Sequence, residues 1–485
     1  MKNKKIILLG IIGLFIIGFY SLYNSLNITN YINKEKNNYF NKTLKKVIPQ
    51  NIKDFMKDTI FVFKKVSILE KEIAYRDKQI EDKNNKVLNL LNDLQFFEFK
   101  INEIKNKKLH NINLSLKTFT LPFLEKTGPG SYLSYYNQNL FLITGTGILM
   151  YASLDNLKDE KFFFKKIDTN FKDILGADYF KKNKTRQVVK NLLIKNNTVY
   201  VSYVKKVKDN CFTTEILSSN LSFEEMTLNE FFNTDNECQP FSHNTVKGKA
   251  GGNLSDFKDN KILMTIGDFE TYEPSKQTNK NPQNINSIIG KIISIDETTR
   301  EYKILSMGHR NSQGLYYDKE HNIIYSTDHG PQGGDEINVN TSPDGEIKNY
   351  GWGISSYGEH YGFPDVDNSE KYKLAPLHKS HEKYGFIEPL KYFTPSIAPT
   401  QIIKTEKFIK IPNKNIIYLG ALGHTSENGR RSIHQFILDA DLKIEQHNIM
   451  PIGERVRDMI YIEELNRIFL FLETSGSIGM LEVDN

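Results

Sequence analysis

One short pattern recurs six times in this chain and restricts its fold more than any other feature. An asparagine in a turn is followed at once by a β-type run: Asn139-Leu-Phe-Leu142, Asn197-Thr-Val-Tyr-Val201, Asn260-Lys-Ile-Leu-Met264, Asn322-Ile-Ile-Tyr325, Asn415-Ile-Ile-Tyr418 and Asn466-Arg-Ile-Phe-Leu470. Successive asparagines are 58, 63, 62, 93 and 51 residues apart, so every interval but one lies near a common period. Four short strands with their turns need roughly 40 to 50 residues, which makes each unit the size of a propeller blade with generous loops. Residues 118–485 are therefore predicted to form an all-β, six-bladed β-propeller. The long interval contains residues 350–395, rich in Gly, Pro, Tyr and His, and reads as an insertion on one face. An Asn-rich all-β protein can repeat such a turn by accident, but accident does not hold a period. With Trp352 the single tryptophan, the Trp-Asp signature of WD40 blades is absent.

Before residue 118 the pattern is different. Met1-Lys-Asn-Lys-Lys5 precedes an uncharged apolar run from Ile6 to about Tyr23, long enough to cross a bilayer. It is either a signal peptide or an anchor. No small-x-small cleavage pattern or lipobox cysteine follows, which favours an uncleaved signal anchor over residues 1–25. Positive charge ahead of the run keeps that end inside, so a single-pass inner-membrane protein with its propeller on the periplasmic side is expected. Residues 26–59 read as a linker. Over residues 60–108, Val66, Ile73, Ile80, Val87, Leu94 and Ile101 form a seven-residue ladder, with Leu69, Leu90, Phe97 and Ile104 among the companion positions. This predicts a coiled-coil helix, either a stalk that pairs two copies or a helix docked on the propeller by the same stripe.

Composition narrows the partners. A net charge of +6, from 64 basic and 58 acidic residues, is slight for 485 residues, and the lysines are scattered among Asn and Ile. Nucleic acid is thereby disfavoured, and single lysines carry little weight. Cys211 and Cys238 are the two cysteines. In an oxidising compartment they are expected to form a disulfide; the alternative is two unrelated buried thiols, and two cysteines alone do not make a zinc site.

Chemistry concentrates between Gly308 and Trp352. The blocks are Gly308-His-Arg310-Asn311-Ser-Gln313-Gly, Thr327-Asp328-His329-Gly330-Pro331-Gln-Gly-Gly-Asp335-Glu336, and Asn349-Tyr-Gly351-Trp352. Glycines beside charged groups at strand ends let backbone approach a ligand. Arg310 presents a fixed fork of donors to a carboxylate, and Asn311 and Gln313 add neutral hydrogen bonds. The carbonyls of Gly330 and Pro331 suit a hard cation such as calcium.

Together with Gly251-Gly252, Ile266-Gly267-Asp268, Gly290-Lys291 through Asp296, Ala398-Pro399 and Arg455-Val-Arg457-Asp458, these blocks resemble the signature of the PQQ-dependent soluble glucose and sorbosone dehydrogenases. The resemblance covers most of residues 118–485. It implies that Arg310, Arg455 and Arg457 hold the quinone PQQ, which carries three carboxylates, and that Gly330 and Pro331 hold calcium beside it. It further implies a sugar substrate and a respiratory electron acceptor. Two positions depart from the family. Lys249 stands where the family has a histidine base, and an ordinary lysine is protonated at neutral pH; an insertion that lets His243 reach the pocket is the other candidate for the base. Gly423 stands where a cofactor-contacting lysine is expected, with His424 next to it as a partial substitute. The resulting expectation is a membrane-anchored, PQQ-dependent aldose dehydrogenase; the alternative is a catalytically lapsed propeller that binds a glycan or protein.

Overall fold

The computed structural model describes residues 50–122, 124–127, 129–176, 187–208, 211–239, 249–269, 282–360 and 377–484, with backbone only for 50–68. The chain divides into two compact units, residues 1–83 and 84–485. Helix α1, Gln50–Asp93, begins in the first unit and ends in the second. It contains neither Gly nor Pro, and its commonest residue is Lys, a strong helix former.

Two expectations for this region are corrected. The helix stops before the heptad ladder does, and Phe96–Leu109 is a strand, β1. From Phe96 the apolar period changes from seven to two: Phe97 and Phe99 are buried while Phe96 and Glu98 are exposed. Leu94, Ile101 and Ile104 thus lie off the helix, and the seam expected over 60–108 for a coiled-coil dimer is not continuous. The single-pass membrane topology is also not supported, because among the described residues no helix is long and apolar enough to cross a membrane. The apolar run within residues 1–25 lies outside the described residues.

The second unit contains six four-stranded antiparallel blades: four lie in sheets of their own, one of these with a fifth, parallel strand, and the other two are joined into one ten-stranded sheet. Their inner strands are Tyr132–Tyr136, Val189–Lys195, Gly251–Phe257, Ser312–Asp318, Pro399–Lys404 and Val456–Ile462, which begin blades 1 to 6 in that order. Each inner strand contacts the next, and the sixth contacts the first, so the ring closes. The result is a β-propeller-like fold. Six apolar clusters fill the six interfaces between neighbouring blades.

The repeating asparagine lies between the inner strand and the second strand of every blade, in a short turn except in blade 5, where a longer connection joins Lys404 to Asn415. Asn197, Asn260, Asn322 and Asn466 have φ of +59°, +55°, +53° and +50°, and in blades 1 and 5 Asn137 and Asn413 take this conformation just ahead of Asn139 and Asn415. Short hairpin turns need left-handed residues, and asparagine tolerates that region better than other side chains with a Cβ. The long interval falls in blade 4, whose fourth strand, Lys391–Phe393, returns only after a connection of about 50 residues from Asn340.

Closure uses both ends of the unit. Strand β2, Ile112–Thr120, pairs along its length with Ser477–Val483 and completes blade 6. Strand β1 pairs with β2 and, through Phe96–Phe99, with Phe162–Lys165 of blade 1. In blade 2, Cys211 and Cys238 are disulfide-bonded with Cα atoms 5.3 Å apart.

Candidate active site at the hub

A local irregularity positions the site. In blades 2, 4 and 6 the inner strand carries a one-residue bulge just after it begins. Val189 pairs with Tyr203 and Asn191 with Ser202, skipping Lys190; Ser312 and Gly314 skip Gln313; Val456 and Asp458 skip Arg457. Blades 3 and 5 are irregular at the same level, between Gly251 and Leu254 and between Pro399 and Ile402. A bulge re-aims a side chain that regular pleating would send elsewhere.

Bulge residues and neighbouring loops form one connected polar network. Arg457 bonds Glu473 through its guanidinium, and its Nη1 lies 3.4 Å from Gln313 Oε1. Gln313 Nε2 donates to Asn311 Oδ1 at 3.0 Å, and that oxygen also receives the Gly251 N–H. Arg455 reaches the other oxygen of Glu473 at 3.0 Å and donates to the Leu422 carbonyl at 2.7 Å. Burial alone would raise Glu473, but Arg457 and Arg455 outweigh it and hold the carboxyl below its usual range.

Arg310 is almost fully buried. Its Nη1 donates to the carbonyls of His329 and Gly330, and its guanidinium sits 5.3 Å from the Trp352 ring. The loop that carries it is fixed by Asp328, which accepts from the N–H groups of Arg310 and Asn311, the Ser312 hydroxyl and His309 Nδ1. Although burial opposes ionisation, His309 and these donors keep Asp328 below the ordinary carboxylate range. His329 donates through Nε2 to the Pro399 carbonyl at 2.7 Å. Burial first, then Arg457 and Arg310, depress it to about 3, so this imidazole is neutral and both arginines lie within electrostatic reach of it.

Gly330 and Pro331 sit in the loop after that histidine. Asp335 pins the loop by accepting the Gly330, Ile397 and Ala398 N–H groups at 2.7 to 2.9 Å, and burial pushes its carboxyl up to about 6. The Gly330 carbonyl accepts from Arg310, which leaves one lone pair for a cation. Among the described residues no cluster of three or more His, Cys, Asp or Glu forms a metal site.

The remaining sequence candidates are less central. Lys249 is half-buried; its carbonyl accepts from the Phe269 N–H, and it lies two residues before Gly251, the neighbour of Asn311. His243 lies outside the described residues. His424 is exposed on the surface. Gly423 has a direct steric cause: a Cβ there would stand 2.4 Å from Arg430 Cβ and Cγ, so the Arg430 side chain fills the space a lysine would need. Arg430 in turn donates to the Ser396 carbonyl.

Two residues that sequence reading passed over belong here. Glu473 follows an apolar strand with no motif around it, and only folding brings it to the arginines. Lys190 is one lysine among many; the signal that could have found it is the repeated pattern of a polar residue at the start of each inner strand, Val-Lys190-Asn, Ser-Gln313-Gly and Val-Arg457-Asp.

Charge tests whether a polyanion fits. Arg310, Arg455, Arg457 and Lys190 are set against Glu473, bonded to Arg455 and Arg457, and Asp328, bonded to the Arg310 N–H, both held ionised, while burial pushes Asp335 up to about 6 and Asp458, next to Arg457, up to about 7. Four cations gathered in a desolvated place, two of them sharing one carboxylate, can meet a ligand with several carboxylates. A separate cavity of about 430 Å³ is lined by all six inner strands at Leu133, Leu192, Leu254, Leu315, Gln401 and Met459, and none of the hub cations lines it.

Comparison with known proteins follows the same lines. Over 225 residues, 43% of this chain and 50% of the relative, it is 28% identical to an uncharacterised protein of Synechocystis. Over 169 residues, 34% of the chain and 40% of the relative, it is 28% identical to aldose sugar dehydrogenase YliI of Escherichia coli. The chain thus spans about half or less of these relatives. The crystal structure of the soluble aldose sugar dehydrogenase from Escherichia coli in its apo form superposes with a TM-score of 0.55 at 16% identity, covering 76% of this chain and all of that one. A glucose dehydrogenase crystal structure gives 0.54 at 17% identity, covering 74% and 97%. At these identities the likeness concerns the fold. The sequence model of the glucose/sorbosone dehydrogenases matches residues 188–479, a span that contains every bulge residue of the hub, and the chain belongs to that family.

Proposed function

We propose that this chain is a PQQ-dependent aldose dehydrogenase whose cofactor binds at the hub. The observation that supports this reading is that Arg455 and Arg457 of blade 6 share Glu473, while Arg457 and Arg310 of blade 4 both act on the buried, neutral His329. When bound, PQQ supplies a two-electron acceptor and calcium polarises its carbonyl. The chain's own part is electrostatic and geometric. Arg457 and Gln313, held by the bulges, orient the polyanion; Arg310 adds a second cationic wall; Asp335 fixes the Gly330 and Pro331 carbonyls as the calcium donors. Lys249 or His243 takes the proton of the sugar hydroxyl as hydride leaves the same carbon, which balances the oxidation. For lysine this requires its proton affinity to be depressed by neighbouring cations. Electrons pass on to a respiratory acceptor, which a redox dye replaces in an assay.

The test is reconstitution of the purified chain with PQQ and calcium, followed by a panel of aldoses. Dye reduction dependent on sugar, PQQ and calcium is expected. No PQQ binding, or binding without quinone reduction by any aldose, would defeat the reading. Lys249→Ala separates the base candidates: it abolishes turnover while leaving PQQ bound if Lys249 is the base, and leaves turnover intact if His243 is.

A further inference from the structure

We propose that Lys190 binds a carboxylate of the hub ligand, as the blade 2 counterpart of Gln313 and Arg457. This rests on the reading above that the hub holds an aromatic polycarboxylate.

Three observations support it. The first is position. Lys190 is skipped in the pairing of its inner strand in the same way as Gln313 and Arg457, with one residue unpaired between two successive pairs. The same backbone device at the same level of three alternate blades turns their side chains toward a common axis.

The second is space. Lys190 is 9% exposed, and its stem packs on Gly252, where a Cβ would stand 2.5 Å from Lys190 Cβ. Gly252 also has φ of +95°, which side chains with a Cβ rarely adopt. That glycine, within the Lys249-Ala-Gly-Gly252 block, is what gives Lys190 room.

The third is charge. No hydrogen bond or ion pair joins the Lys190 ammonium to another described residue, although burial of a lone cation is costly. The charged groups that face it are Arg457 and Glu473 of blade 6; Gly252 and nearby Thr214 carry none. Glu473 is already shared by Arg455 and Arg457. Burial, and then Arg457, lower Lys190 to about 8 while Glu473 opposes them, so at neutral pH the group is still mainly an ammonium. It is therefore a cation awaiting an anion rather than a ready base.

The experiment uses the purified full chain without calcium or sugar. Binding is read by quenching of the single tryptophan, Trp352, which lies beside Arg310, and by calorimetry. The probes are PQQ and the redox-inert benzene-1,2,4-tricarboxylate. At pH 7, Lys190→Met is expected to weaken both about ten- to a hundredfold, the loss of one charge-assisted hydrogen bond, and Lys190→Arg to retain most of the affinity. Wild-type affinity should fall about tenfold per pH unit above pH 8, and that slope should vanish in Lys190→Met. If wild type binds PQQ and Lys190→Met binds it equally with the same pH profile, the assignment is overturned while the cofactor reading stands. If wild type binds the tricarboxylate but not PQQ, and Lys190→Met loses it, Lys190 stands and the cofactor reading falls. Binding of neither probe overturns both. Should Lys190→Met fail to fold, a wild-type affinity that does not change between pH 7 and 9.5 overturns the assignment by itself.

Discussion

Replacing Lys190 with methionine keeps the aliphatic stem that packs on Gly252 and deletes only the charge. Lys190 falls from 10.5 to about 8 on folding, mainly through burial. At about 1.4 kcal/mol per pH unit, the ionised form opposes folding by roughly 3 kcal/mol. Because the folded value lies below the unfolded one, the unfolded chain binds the extra proton between pH 8 and 10.5. The cost is thus complete below pH 8 and disappears as pH rises to 10.5. Lys190→Met without ligand should therefore be more stable than wild type by about 3 kcal/mol at pH 7, and the two should converge toward pH 10.5. Urea denaturation followed by circular dichroism at pH 7, 8, 9 and 10 measures the difference directly. Saturating PQQ should shrink or reverse the gap at pH 7, since it gives the ammonium its anion. A variant no more stable than wild type at pH 7, or one whose advantage does not shrink with pH, would refute the argument that this lysine is a buried charge with no ion-pair partner among the described residues.

Glu473→Gln leaves Arg455 and Arg457 without their shared carboxylate and should cost about 3 to 5 kcal/mol in urea denaturation at pH 7. Since Glu473 lies below its unfolded value of 4.5, its contribution is present above that pH and lost as pH falls through the folded value, so the variant should lack this part of the acid limb. Gly423→Lys should destabilise by about 1 to 3 kcal/mol because Arg430 occupies the space, whereas the double variant with Arg430→Gly, which removes the clashing Cβ as well as Cγ, should recover most of the loss; additive effects in a double-mutant cycle would contradict the steric reading. Cys211→Ser opens a loop of 27 residues' separation and should lower stability by about 3 to 4 kcal/mol, with no change on adding reductant to the variant.

The sixfold organisation was legible because one backbone requirement, a left-handed residue ahead of the second strand, places an asparagine there in every blade, at the repeating position in four and two residues earlier in blades 1 and 5. The arginine and glycine blocks were legible because they are dense in sequence as well as in space. The ladder over 60–108 misled for a physical reason: apolar residues at 94, 97, 101 and 104 satisfy a heptad count, yet the burial of Phe97 and Phe99 with exposed neighbours obeys a period of two. Lys190 and Glu473 could not stand out as single residues. Lys190 takes its meaning from a bulge, and Glu473 from the hairpin that sets it beside Arg455 in blade 6; neither is visible along one strand.

The partnership of Ile112–Thr120 with Ser477–Val483 has a consequence for biogenesis. During synthesis, the earlier of these two segments leaves the ribosome more than 350 residues before its mate, and until then its backbone donors and acceptors form an open edge. Blades 1 to 5 can collapse as they emerge, but the circle stays unlatched through almost the whole of translation. A chaperone that shields this early segment would guard the step at which a nascent chain is most exposed to pairing with the wrong neighbour.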